Sequence, residues 1–172
     1  MEEQMARRLV AEEGKKLQQA GLVARTWGNI SCRIDENHFV ITPSGLDYET
    51  MTAGDLVLMD IRNGVCCGAH KPSSEKGVHL AAYQTFPEVG YVIHTHQTYA
   101  TAIGLCGFEQ LAMTEEEAEK LGGIARAAYG LSSTEKLAVW GKGGLYGAPR
   151  RADLRKGQGR GVFPRHALGG DL

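Results

Sequence analysis

Residues 91–96 read Tyr-Val-Ile-His-Thr-His, a short apolar run that ends in two histidines one residue apart. A run of this length and composition predicts a buried strand. Alternate residues of a strand face the same side of a sheet, so His94 and His96 can reach one metal ion. A catalytic zinc site needs about three protein ligands and an open position. The third ligand has to come from the other histidines of the chain, His38, His70, His79 or His166.

The segments around this run alternate between helical and strand periodicity. Apolar residues recur at helical spacing through residues 2–20 and again through residues 74–86, where Ser73 or Ser74 is the expected N-cap. Strands are predicted at residues 30–34, 38–42 and 56–61, with turn residues between them. Because this order lacks a strict βαβ rhythm, it predicts an α/β or α+β fold whose sheet is at least partly antiparallel.

Three polar turns have the composition of an anion-binding site. They are Gly28-Asn29, Thr42-Pro43-Ser44-Gly45 and Ser73-Ser74. Each places a hydroxyl or an amide beside flexible backbone, and the third lies at a predicted helix N-terminus, where the helix dipole favours phosphate. Each turn alone is typical of an ordinary cap or loop, but three of them around a histidine pair indicate a phosphorylated substrate.

Composition excludes several classes of protein. The chain has 172 residues, of which 42% are hydrophobic and 23% charged, and its formal net charge is −1. These values indicate one globular domain, with no general attraction to nucleic acid and no membrane segment. The four cysteines form no C-x-x-C pair, which favours free thiols in a reducing compartment. We therefore expect a cytoplasmic protein.

Four motifs together resemble one protein family. Gly28-Asn29-Ile30-Ser31, residues 41–45, residues 72–75 and His94-Thr95-His96 occur in this order and at these separations in class II aldolase/adducin-type domains. The resemblance covers about residues 4–138, and within the family it is strongest to the L-fuculose-1-phosphate aldolase branch. It implies a three-layer αβα sandwich with a central, mainly antiparallel sheet. It also implies a homotetramer with sites at subunit interfaces.

The resemblance assigns a role to each motif residue. It implies a retro-aldol cleavage of a deoxyketose 1-phosphate to dihydroxyacetone phosphate and an aldehyde, with Zn2+ or another divalent metal as Lewis acid. Glu75 is then the general acid/base, and His94, His96 and His166 are the metal ligands. The residues that hold the substrate phosphate are Gly28, Asn29, Ser44, Gly45, Ser73 and Ser74.

Two other readings of the same residues stay open. One is a non-catalytic, adducin-like module for binding or assembly, and the other is a sugar-phosphate epimerase or dehydratase on the same scaffold. Epimerases of this fold typically carry Asp after the paired serines, so Glu75 favours the aldolase.

The chain departs from the family pattern after about Val139. Residues 141–172 hold seven Lys or Arg against two Asp or Glu, together with nine of the 23 glycines, and only residues 161–163 look like a strand. We therefore divide the chain into a domain at 1–140 and a diverged segment of the same domain at 141–172. His166 lies in a changed form of the family's third-histidine motif, which a frame shift or simple divergence would explain. The family's C-terminal helices have no counterpart here.

Overall fold

A computed structural model describes residues 1–96, 98, 99, 102, 114–116 and 160–164, the last range as backbone. Within these residues one antiparallel sheet has the strand order β4-β3-β2-β1-β5-β6. Its strands are β1 Asn29–Arg33, β2 His38–Ile41, β3 Val57–Asp60, β4 Cys66–Cys67, β5 Val89–His94 and β6 Arg160–Pro164. Two α-helices lie wholly within the described residues, α1 Glu3–Gln19 and α2 Lys76–Thr85. Neither helix has the length and apolar content that crossing a bilayer requires.

The two helices cover opposite faces of the sheet. On β5, Tyr91 and Ile93 belong to the apolar cluster that contains α1, whereas Val92 belongs to the cluster that contains α2. The same alternation runs through β1 and β2, as expected when successive side chains of a strand face opposite sides. The result is the three-layer arrangement of helix, antiparallel sheet and helix that the family resemblance implies.

The predicted strands and helices are confirmed, with differences at two ends that matter for the site. The helix predicted at residues 74–86 begins at Lys76, and the residue in the N-cap position is Glu75 rather than a serine. Ser73 caps the turn one step earlier, where its Oγ accepts a hydrogen bond from the Glu75 amide at 3.2 Å. Strand β5 ends at His94, so His96 lies just beyond the strand rather than on it. Residues 161–163 lie in β6, which pairs with β5.

Arg33 ties the end of α2 to the sheet. Its guanidinium donates to the carbonyl oxygens of Tyr83 at 2.6 Å and Phe86 at 3.3 Å, and its Nε donates to the Val89 oxygen at 2.9 Å. The same guanidinium lies over the Tyr83 ring, 4.7 Å from the ring centroid. One buried cation therefore holds the last turn of α2 and the start of β5 together, and β5 carries the histidine pair.

We expect Arg33→Met to lower the free energy of unfolding by about 3 kcal/mol, because it leaves buried carbonyl groups without their donor. The matched control is Arg62→Met, which removes an exposed arginine paired with Asp60 at 2.9 Å and should cost under about 1 kcal/mol. Urea unfolding measures both. Equal losses in the two variants would contradict the role given to Arg33.

Candidate active site

The strand register brings two of the predicted site residues together. Asn29, the first residue of β1, lies directly opposite His94, the last residue of β5. Opposed residues of an antiparallel pair share one face of the sheet, and here it is the face that α2 covers, because Val92 and His94 are alternate residues of β5. Glu75 is in the N-cap position of that helix. Asn29, Glu75 and His94 are all buried, with exposed fractions of 4%, 7% and 9%.

The two histidines of the 94–96 motif remain neighbours although the strand ends between them. Their ring centroids are 4.9 Å apart and their planes are inclined by only 12°. Two imidazole nitrogens on one tetrahedral zinc lie about 3.4 Å apart. Two rings whose centroids are 4.9 Å apart can place one nitrogen each at that distance. His94 is buried and His96 is exposed, so a metal held by both would lie at the rim of the sheet, where substrate can reach it.

Trp27 lies beside the histidine pair. Its indole is 58% exposed, and its ring centroid is 5.9 Å from that of His96. At this exposure the indole is not part of the core. The indole instead forms part of the wall next to His96.

Two of the polar turns are joined by backbone hydrogen bonds. The Ser44 amide donates to the Lys71 oxygen at 2.9 Å, and the Ser73 amide donates to the Thr42 oxygen at 3.1 Å. Pro43 and Pro72 form a bridge between these two bonds. The side chains of Ser44 and Ser74 and the backbone of Gly45 are therefore exposed at the same edge of the structure.

The third turn, Gly28-Asn29, is linked to the other two by hydrogen bonds between Ile30 and Thr42. The Ile30 amide donates to Thr42 Oγ1 at 3.2 Å, and the Thr42 amide donates to the Ile30 oxygen at 3.0 Å. Asn29 precedes Ile30, so the three turns predicted for anion binding lie side by side. At the start of α2, however, the amides of Glu75, Lys76 and Val78 already donate within the turn. An anion here would be held by hydroxyls, the Asn29 amide and the helix dipole.

Gly28 is needed for the close approach of this turn to β5. It has a φ of 86°, and a Cβ at this position would lie 2.8 Å from the His94 oxygen and 2.7 Å from a Val23 methyl carbon. Gly45 has a φ of 76° with open space around it. Both glycines adopt a backbone conformation that other residues avoid. Only at Gly28 would a side chain also collide with neighbouring atoms.

The remaining histidines have different surroundings. His38 and His70 are exposed and hydrogen-bonded to Asp35 and Asp55, so neither reaches the site. His79 is fully buried and hydrogen-bonded to Asn29 and Ser31. The predicted third ligand, His166, lies outside the described residues. Among those described, no three His, Cys, Asp or Glu side chains are close enough to hold a metal ion.

Sequence reasoning placed Ser31 in a family motif and His79 among the candidate ligands, but it did not single out Tyr83 and did not predict that these three buried residues are hydrogen-bonded to one another and to Asn29. Their hydrogen bonds link α2 to Asn29. The signal was present, since Asn29 and Ser31 are alternate residues of a strand and His79 and Tyr83 are four apart on a helix, so each pair shares a face. Nothing in the sequence indicated that the two faces meet.

Comparisons with known proteins identify the family. The sequence model for the "Class II Aldolase and Adducin N-terminal domain" matches residues 8–157. The structure of an L-fuculose 1-phosphate aldolase is 36% identical, with a TM-score of 0.70 over 78% of this chain and 64% of that one. This chain thus spans less than two thirds of the length of that enzyme.

Two further structures share the fold at lower identity. An L-fuculose-1-phosphate aldolase from Thermus thermophilus is 24% identical, with a TM-score of 0.67 over 90% of this chain and 76% of that one. YgbL from Escherichia coli, described as a candidate aldolase, epimerase or decarboxylase, is 23% identical, with a TM-score of 0.71 over 79% and 68% of the two chains. The match of the family model over most of the sequence shows that this chain belongs to the class II aldolase and adducin N-terminal domain family.

Proposed function

We propose that this protein is a zinc-dependent aldolase that cleaves a deoxyketose 1-phosphate similar to L-fuculose 1-phosphate. The products are dihydroxyacetone phosphate and an aldehyde. The observation that carries the proposal is that Asn29 and His94 lie opposite each other on the face of the sheet that α2 covers. Glu75 is the N-cap residue of α2, and the turn before it is joined by hydrogen bonds to the turn that holds Ser44. A metal-binding pair, a carboxylate and an anion-binding edge are the groups that this cleavage needs.

In the proposed reaction the phosphate is bound first. Its binding site is the edge formed by the three polar turns, which we call the polar edge. The hydroxyls of Ser44, Ser73 and Ser74 and the side-chain amide of Asn29 can donate to its oxygens, and Gly28 and Gly45 allow the backbone to approach closely. The partial positive charge at the N-terminus of α2 favours the dianion. The phosphate would therefore fix the distance between the sugar carbons and Glu75.

The metal would be held by His94 and His96, with His166 as the third ligand. When bound, zinc supplies a Lewis acid that stabilises negative charge on the oxygens of the ketose. Imidazole nitrogens suit zinc, and the exposure of His96 leaves a side open to substrate.

Glu75 would move the proton at the carbon where the bond breaks. In cleavage, the bond between the third and fourth carbons of the ketose breaks and its electron pair goes to the third carbon. The hydroxyl of the fourth carbon gives its proton to solvent as that carbon becomes the carbonyl of the departing aldehyde, and Glu75 then donates a proton to the third carbon and regains one from solvent. In the reverse direction the Glu75 carboxylate removes that proton from dihydroxyacetone phosphate. Its place before the first turn of α2 puts its backbone next to Ser73, whose Oγ accepts from the Glu75 amide.

The proposal also includes a cytoplasmic homotetramer, as the resemblance to the family implies. Among the described residues, Cys32, Cys66 and Cys67 form no disulfide, which is consistent with a reducing compartment.

The test is an assay of L-fuculose 1-phosphate cleavage, with dihydroxyacetone phosphate measured by its enzymatic reduction. We expect cleavage by the purified chain, loss of activity after treatment with a chelator, and recovery when zinc is added back. The control is the unphosphorylated sugar, which should react at least about tenfold more slowly because it lacks the contacts of the polar edge. A chain that neither binds zinc nor cleaves the sugar phosphate would support the non-catalytic, adducin-like alternative.

A further inference from the structure

A chain of four buried polar side chains runs from α2 to Asn29. The Tyr83 hydroxyl lies 2.8 Å from Ser31 Oγ, and Ser31 Oγ lies 2.6 Å from Nδ1 of His79. His79 Nε2 is hydrogen-bonded to Oδ1 of Asn29. Their exposed fractions are 1% for Tyr83, 0% for Ser31 and His79, and 4% for Asn29. Solvent therefore has almost no access to any of these hydrogen bonds.

The chemistry of the four groups determines which group donates and which accepts in each of these hydrogen bonds. The Asn29 Oδ1 atom can only accept, so Nε2 of His79 carries the proton and donates it. In the neutral ring Nδ1 is then the acceptor, and the Ser31 hydroxyl donates to it. Ser31 Oγ in turn accepts from the Tyr83 hydroxyl. Burial raises the pKa of Tyr83 well above its usual value, which keeps that hydroxyl protonated and able to donate.

The donor and acceptor roles in these hydrogen bonds determine which atom of the Asn29 amide is available for a ligand. Because the oxygen and nitrogen of an amide point in different directions, the oxygen bonded to His79 leaves the nitrogen of Asn29 and its two N–H groups directed away from the His79 ring. A phosphate oxygen accepts hydrogen bonds, so it is bound by the nitrogen and repelled by the oxygen of an amide. A rotated Asn29 amide would present the wrong atom at the edge where Ser44 and Ser73 lie.

We propose that His79 is a positioning residue that holds the Asn29 amide with its nitrogen toward the substrate phosphate, supported from behind by Ser31 and Tyr83. This inference rests on the proposed function, because it takes the ligand of the polar edge to be a phosphate. It extends that function by making phosphate affinity depend on a residue that does not touch the phosphate.

The first test determines, in the wild-type protein, which ring nitrogen of His79 donates its hydrogen bond. Nitrogen NMR of the holoprotein labelled at histidine distinguishes a protonated ring nitrogen from an unprotonated one. We expect His79 to be protonated at Nε2 and unprotonated at Nδ1. The opposite tautomer would mean that the Asn29 amide is rotated, with its nitrogen toward His79, and would overturn the inference. This measurement needs no variant, so it stands even if substitutions in the network prevent folding.

The second test uses two variants that differ by one methylene group. In His79→Gln the side-chain amide can replace Nε2 as the donor to Asn29, whereas the shorter side chain of His79→Asn can replace only Nδ1. The probe is inorganic phosphate, measured by calorimetry. We expect His79→Asn to weaken phosphate binding about tenfold and His79→Gln to restore most of it. With the sugar phosphate, KM should rise in His79→Asn while kcat changes little.

The outcomes separate the inference from the function on which it rests. If wild type binds neither inorganic phosphate nor the sugar phosphate, the proposed function fails and the inference fails with it. If wild type binds phosphate and folded His79→Asn binds it equally well, only the positioning role is overturned. A purely structural role for His79 predicts lower thermal stability in both variants with the same phosphate affinity, which would also overturn it.

Discussion

We expect His94→Ala to lose its zinc and to cleave the sugar phosphate at least about a thousandfold more slowly. His94 is the buried member of the histidine pair, held at the end of β5 opposite Asn29. Two of the three proposed ligands remain after its removal, and a zinc ion with two protein ligands is bound weakly. Metal content by plasma mass spectrometry and the rate of cleavage measure the two effects on the same sample.

The matched control for this prediction is His38→Ala. It also removes an imidazole from the same sheet, but His38 is exposed and paired with Asp35, so zinc content and rate should stay at the wild-type level. His166→Ala extends the comparison to the third predicted ligand and should also lower the zinc content. If His94→Ala keeps about one zinc per chain, the metal is bound elsewhere and the proposed site is wrong.

The fold could be predicted from the sequence because each layer has its own periodicity. In β5 the residues Tyr91, Val92 and Ile93 face alternately toward α1 and α2, and a buried strand between two helices has this uninterrupted apolar pattern. The helix boundary was less accurate. Ser73 and Ser74 both suit an N-cap, but the helix begins at Lys76, and Ser73 Oγ accepts from the Glu75 amide in the turn before it.

The candidate site was predicted as a set of motifs, whereas the contacts between the motifs were not. Gly28 has the composition of a turn, but its need to be small comes from the His94 oxygen, which is 66 residues away in sequence. The hydrogen bond between His79 and Asn29 likewise joins residues that are 50 positions apart. Local patterns contain no information on such pairs. They follow from strand register, and register depends on how all the layers pack together.

Zinc was expected from the histidine motif and from the family resemblance together, and the family match is consistent with a metal-dependent enzyme. In the described part of the chain, the ring centroids of His94 and His96 are 4.9 Å apart. The third ligand, His166, and the boundary at residue 140 stay predictions, because both depend on residues outside the described part of the chain.

Glu75→Gln should lower kcat by about a hundredfold to ten-thousandfold, the range for loss of a general acid/base, while the zinc content and KM change little. The amide has nearly the same shape as the carboxyl group, so the start of α2 and the hydrogen bond from residue 75 to Ser73 are retained. Glu88→Gln is the matched control, because it removes an exposed carboxylate near the other end of the same helix. Its rate should equal that of wild type.

A partial reaction assigns the effect to proton transfer. Dihydroxyacetone phosphate incubated in heavy water with wild type should exchange the hydrogen at its third carbon without any aldehyde present. Glu75→Gln should lose this exchange to about the same extent as cleavage, since both need the same proton to move. If exchange persists while cleavage is lost, another group carries the proton, and Glu75 acts instead on the departing aldehyde. Loss of zinc in Glu75→Gln would make the carboxylate part of the metal site, because a general acid/base can be removed without losing the ion.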